Sequence, residues 1–200
     1  MTWFESNRQE IESQAAAGKL PGLKHLVAAL DNPDPQVRCA AAQALQQDAD
    51  PVHLPHFLTL LEDEHFELRL AAIQYLRRIS NPATAPALVT HLADSDSDVR
   101  QAAAQALGSL RDLAALEPLV LSLTDEEPAV RHAAAAALEE IDPRWVRSDV
   151  VQRAIPRLEA LREAPQPWIA AAAEKALEKI RAAKYSSTEF WKRESGIRTL

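Results

Sequence analysis

LADSDSDVRQAAAQALGSL, residues 92–110, holds the pattern from which the whole chain is read. Its Val99-Arg100 pair has three counterparts, Val37-Arg38, Leu68-Arg69 and Val130-Arg131, so that successive pairs stand 31 residues apart. A leucine precedes each pair by seven positions (Leu30, Leu61, Leu92, Leu123) and another follows by eight (Leu45, Leu76, Leu107, Leu138). A register kept over that distance marks one structural unit with fixed packing positions, repeated along the chain.

Each unit contains two helical segments. The first is short and apolar on one side: LPGLKHLVAAL (20–30), VHLPHFLTLL (52–61), ATAPALVTHL (83–92) and LAALEPLVLSL (113–123). The second is rich in alanine: VRCAAAQAL (37–45), LRLAAIQYL (68–76), VRQAAAQAL (99–107) and VRHAAAAAL (130–138). Alanine lets helix backbones approach closely, while leucines at the ends of the same face fill the wider gaps between layers. The loops NPDPQ, DEHFE, DSDSD and DEEPA place polar groups just before the second helices, where they accept first-turn amides and favour the positive helix end. With only 4 glycines in 200 residues and few β-branched or aromatic side chains, nothing competes with helix, and the 13 prolines stand mostly at segment ends or first turns.

The pattern predicts an all-α, right-handed α-solenoid of about five two-helix repeats. The fifth is irregular: DVVQRAIPRLEAL (149–161) and WIAAAAEKALEKI (168–180) supply its helices, with Ile169-Ala170 in place of Val-Arg and an insertion around IDPRWVRSD. The organisation expected is a capping helix over residues 1–19, a repeat domain over 20–183, and a tail or end cover over 184–200. Divergent ends follow from stacking, because a terminal unit must hide one face with something less repetitive.

A net charge of −7 opposes a phosphate backbone, so nucleic acid is disfavoured as a partner. Cys39 stands alone and excludes an internal disulfide. No apolar run reaches membrane-spanning length and MTWFESNRQEIESQ lacks the core of a signal peptide, so the expected setting is cytoplasmic and soluble. The six histidines show no metal-ligand spacing, and no phosphate loop, nucleophile elbow or zinc-protease motif occurs. No catalytic residue, cofactor or metal is expected.

These repeats, and LADSDSDVRQAAAQALGSL above all, resemble the short HEAT-like repeats of phycobilisome-lyase-type proteins over roughly residues 20–180. The resemblance implies a structural ladder in which loop aspartates Asp63, Asp94 and Asp125 meet Arg38, Arg69, Arg100 and Arg131, with Asn32 at the acidic position of the first repeat. It also implies that second helices line the concave side. Aligned there, one column contains Cys39, Leu70, Gln101 and His132 and another contains Gln43, Gln74, Gln105 and Ala136.

Glutamines in successive layers present donors and acceptors together. Phe66, Leu70, Ile73 and Tyr75 make the second repeat bulkier than its neighbours, either as an interface anchor or, for Tyr75, as a core adaptation. Leu70, Ile73, Gln74, Gln101, Gln105 and His132 are therefore the expected contacts for a protein partner, bound by a chain that is monomeric beforehand. The alternative that the resemblance implies is a bilin lyase-like or other auxiliary enzyme completed by a second chain. A damaged-DNA reading through Trp145 or Trp168 with Asp142 or Asp149 conflicts with the acidic balance.

Overall fold

The structure, a computed structural model, describes the backbone of residues 23–48 and 50–194 and side chains within 26–46 and 50–183. The expected capping helix over 1–19 lies outside the described residues. Among those described there is no strand, and the α-helices in chain order are α1 (Leu23–Ala29), α2 (Pro35–Asp48), α3 (Leu54–Leu60), α4 (Phe66–Ile79), α5 (Ala85–Thr90), α6 (Ser97–Leu110), α7 (Leu116–Ser122), α8 (Pro128–Ile141), α9 (Asp149–Gln152), α10 (Ile155–Leu161) and α11 (Pro167–Glu194). The alanine-rich helices α2, α4, α6 and α8 are 14 residues each, which is the periodicity of the sequence made visible. Helix α11 runs through residue 183 to Glu194 without a break, beyond the second helix and the tail boundary expected from the sequence.

The chain divides into two compact units at Ala106 and Leu107, inside α6. In the first, α1 packs on α2, α3 on α4, and α2 on α4. In the second, α7 packs on α8 and on α9, and α10 packs on α11. The repeated residues supply the interior: Val37, Leu68, Val99 and Val130 are buried, and Leu45, Leu76, Leu107 and Leu138 are wholly so. Leu30 and Leu61 are buried too, whereas Leu92 and Leu123 are half-buried. At Leu92 the helix gives way to a tighter turn over His91–Ala93.

Local chemistry explains why each loop turns where it does. Asn32, Asp63, Asp94 and Asp125 each use Oδ1 to accept the backbone N–H two residues on, from Asp34, His65, Asp96 and Glu127. That side-chain turn sets the approach to the second helix and is not itself the cap. At the starts of two of the 14-residue helices a second side chain adds a cap: Asp34 accepts from Gln36, and Asp96 from Asp98 and Val99. His65 and Glu127, at the starts of α4 and α8, make no side-chain cap. A second series stands just ahead of three first helices, α3, α5 and α7. Asp50, Asn81 and Asp112, again 31 apart, cap short 3-10 turns through the N–H groups of Val52, Ala83 and Ala114.

Larger side chains fill particular gaps. Tyr75 is fully buried, stacks on Phe57 with ring centroids 3.8 Å apart, and donates its hydroxyl to the Asp50 carbonyl. It is a core adaptation, replacing the alanine of neighbouring repeats. Trp145, in the inserted segment, is also buried; its Nε1 donates to Glu139 at 3.1 Å, and Lys179 lies 5.0 Å above its ring. At Gly108 a Cβ would stand 2.9 Å from the Cα of Ala137, so α6 and α8 meet there at a distance only glycine permits.

Candidate interaction surface

The arginines that recur at 31-residue intervals do the same local task four times. Nη1 of Arg38 donates to the carbonyls of Asn32 and Pro33, that of Arg69 to Asp63 and Glu64, that of Arg100 to Asp94 and Ser95, and that of Arg131 to Asp125 and Glu126. Each guanidinium thus ties the loop of its own repeat to the first turn of the helix that follows. Two of these arginines also reach the next repeat. Arg38 Nη2 contacts Asp63 at 3.2 Å, while Arg69 grips Asp94 through both Nε and Nη2 at 2.7 Å. Burial pushes both carboxyls up, but hydrogen bonds from arginine and backbone amides outweigh it and hold Asp63 and Asp94 below the ordinary carboxylate range; His65 adds a bond to Asp63. Groups committed in this way maintain register and are poorly placed for chemistry.

The residues expected as partner contacts lie on the second helices. In the first unit Gln46 of α2, Ile73, Gln74, Arg77 and Arg78 of α4, and Ala102 and Gln105 of α6 line a depression of about 260 Å³. Hydrogen bonds bridge its helices: Gln46 Nε2 donates to Gln74 Oε1 at 2.8 Å, and Arg77 Nη1 to Gln105 Oε1 at 3.2 Å. Of the residues expected as contacts, Ile73, Gln74 and Gln105 come together here. Gln74 and Gln105 are exposed, but Ile73 is fully buried and shapes the depression from beneath, a correction to its expected role as a contact. Leu70 and Gln101 are half-buried outside this lining, and His132 is exposed on α8 of the second unit. Sequence reasoning passed over Gln46, Arg77 and Arg78. The available signal was spacing: Gln46 follows Gln43, and Arg77 follows Gln74, by three residues, which continues the same helix face toward its C-terminus.

Two other hollows of the first unit flank the loops. One of about 380 Å³ is lined by residues including Asp31, Arg38, His56 and Asp63. Another, of about 430 Å³, is lined by residues that include Glu64, Phe66, Glu67 and Asp96, with Phe66 partly exposed. His53 is buried at 3% exposure, as is His91 at 6%. The reason for His91 is that its ring nitrogens face the carbonyls of Leu61 and Ala87. Burial, reinforced by the charge of Glu67, pushes the Cys39 thiol up and so disfavours its reactive thiolate. Among the described residues no three metal-ligating side chains converge, and no helix is long and apolar enough to cross a membrane.

Comparison with known proteins follows the same lines. The chain is similar to an engineered protein of known structure, at 24% identity over 86% of this chain and 83% of that one, with a TM-score of 0.55. It is similar in fold to the complex of CpcE and CpcF of phycocyanin lyase from Nostoc sp. PCC7120, at 24% identity and a TM-score of 0.55. That match covers 80% of this chain but only 65% of the other. A designed armadillo repeat protein in complex with the peptide (KR)4 matches over 86% of both chains at 22% identity, with a TM-score of 0.51. No curated protein sequence matches. At these identities the neighbours establish an all-α repeat fold and nothing finer. The HEAT-repeat profile matches residues 23–108 and 86–178, and with most of its length so covered the chain belongs to the HEAT-repeat family.

Proposed function

We propose that the chain is a protein-interaction module or assembly scaffold, binding a partner protein through the exposed face of its second helices. The observation that carries this reading is the depression in the first unit, where side chains from three successive second helices meet and the amides of Gln74 and Gln105 reach solvent. Donors and acceptors in register across layers suit recognition of another polypeptide, and the half-buried Leu70 supplies apolar area on the same helix. The arginines that recur in the loops hold shape, and no side-chain grouping described above prepares a nucleophile or a proton donor. The protein is read as a monomer in the cytoplasm until the partner arrives.

The test is a comparison of variants in pull-downs from native lysate. Leu70→Asp and Gln74→Lys with Gln105→Lys, each checked for unchanged helix content and melting temperature, are expected to lose a partner that the native chain retains. Retention of that partner by both variants refutes the assignment of this face.

A further inference from the structure

The depression between α2, α4 and α6 has a charge of its own. The chain carries 29 acidic against 22 basic residues, yet the charged side chains lining this hollow are Arg77 and Arg78, and no carboxylate is among them. Both arginines lie in the last turn of α4, where a cation also complements the negative helix end. Dipole compensation alone does not account for them. The corresponding positions of the other second helices are Gln46-Gln47, Gly108-Ser109 and Glu139-Glu140, so the repeat does not require cations there. Arg77 is held across to α6 by its bond to Gln105, which aims its guanidinium over the hollow. Gln74 accepts from Gln46, so its own amide N–H groups are what it presents.

We propose that this depression takes an extended, acidic segment of a partner protein, with Arg77 and Arg78 holding a side-chain carboxylate and Gln74 and Gln105 the peptide main chain. The proposal rests on the reading of this face as the partner-binding surface and narrows it to one ligand chemistry. A guanidinium presents a planar pair of donors that matches a carboxylate, and two of them side by side select against basic sequences. Packed helices stand roughly 8–10 Å apart and an extended chain advances about 3.3 Å per residue, so about three residues span each layer. About nine residues therefore pass α2, α4 and α6. A nucleic acid fits less well, because its charged backbone continues beyond two arginines onto a chain of net charge −7.

Fluorescence anisotropy on the full chain supplies the test, using labelled Ser-Glu-Ala repeat peptides of about twelve residues. Ser-Lys-Ala and Ser-Ser-Ala peptides and a single-stranded oligonucleotide serve as comparisons. The acidic peptide is expected to bind more tightly than all three, less tightly at high salt, and about tenfold or more weakly when Arg77→Gln and Arg78→Gln are combined. Glutamine and arginine have similar helix propensity, so the double variant keeps α4 intact. Acidic binding no stronger than that of the serine peptide, indifference to the two arginines, or tighter binding of the oligonucleotide overturns the proposal. The broader reading is judged separately. A partner lost on Leu70→Asp, yet retained by the arginine double variant and not displaced by the acidic peptide, leaves the face as the binding surface and refutes the acidic ligand. A partner retained by Leu70→Asp and by the paired glutamine variant removes the face itself.

Discussion

Replacing Tyr75 with phenylalanine separates the two reasons this side chain is buried. The ring and its stacking on Phe57 survive in Tyr75→Phe; only the hydroxyl that donates to the Asp50 carbonyl is lost. A neutral hydrogen bond contributes about 0.5–1.5 kcal/mol net, and Asp50 is half-buried, so water reaches the abandoned carbonyl in part. The expected cost at neutral pH is about 1 kcal/mol, or a fall of roughly 2–4 °C in melting temperature for a chain of this size. Alkaline pH reverses the comparison. Burial, aided by the charge of Asp50, pushes the Tyr75 hydroxyl up to about 12. A tyrosine in the unfolded chain ionises near 10, so the stabilisation is complete below about pH 10 and is lost as pH rises toward the folded value. One pKa unit is about 1.4 kcal/mol, which places the crossing of the two proteins near pH 11. Denaturant titrations followed by circular dichroism from neutral to alkaline pH measure both limbs, and groups common to the two proteins cancel in the difference. Equal stability at neutral pH with parallel alkaline limbs refutes the inferred role of the hydroxyl.

Gly108→Ala gains about 1 kcal/mol of helix propensity, but its Cβ meets the main chain of Ala137 at 2.9 Å, and overpacking costs about 1–3 kcal/mol. Net destabilisation of about 1 kcal/mol is expected in thermal melts, and a stabilised variant contradicts the close approach of α6 and α8. Arg69→Lys keeps the charge but loses the fork to Asp94 and the bonds to two loop carbonyls, with an expected loss of about 1–3 kcal/mol in chemical denaturation. Because Asp94 is held below its ordinary value, its stabilisation is present above about pH 4 and disappears as pH falls through that lowered value. Asp94→Asn is therefore less stable at neutral pH and has a shallower acid limb, and acid limbs that superimpose speak against the pairing.

The 31-residue register is legible in the sequence because each unit must bury the same positions against its neighbours: Val37, Leu68, Val99 and Val130 recur as letters and are buried as side chains. Loop aspartates and helix-start arginines are legible for the same reason, since turn chemistry and a loop clamp act within a few residues. Exposure across layers was harder to read. Ile73 occupies a helix position that pattern alone leaves ambiguous, and only packing in the first unit shows that it is buried beneath Gln74 and Gln105 rather than beside them. The burial of His91 is decided by tertiary structure, which supplies the Leu61 carbonyl from the preceding repeat to face one ring nitrogen while Ala87 faces the other. Arg77 and Arg78 read locally as a basic helix end, and they become the charge of a hollow only because α2 and α6 bring glutamines and no carboxylate to it. Periodicity determined the repeat, since it reflects contacts every unit must make. The character of the depression was decided by residues distant in sequence, which the tertiary fold places around it.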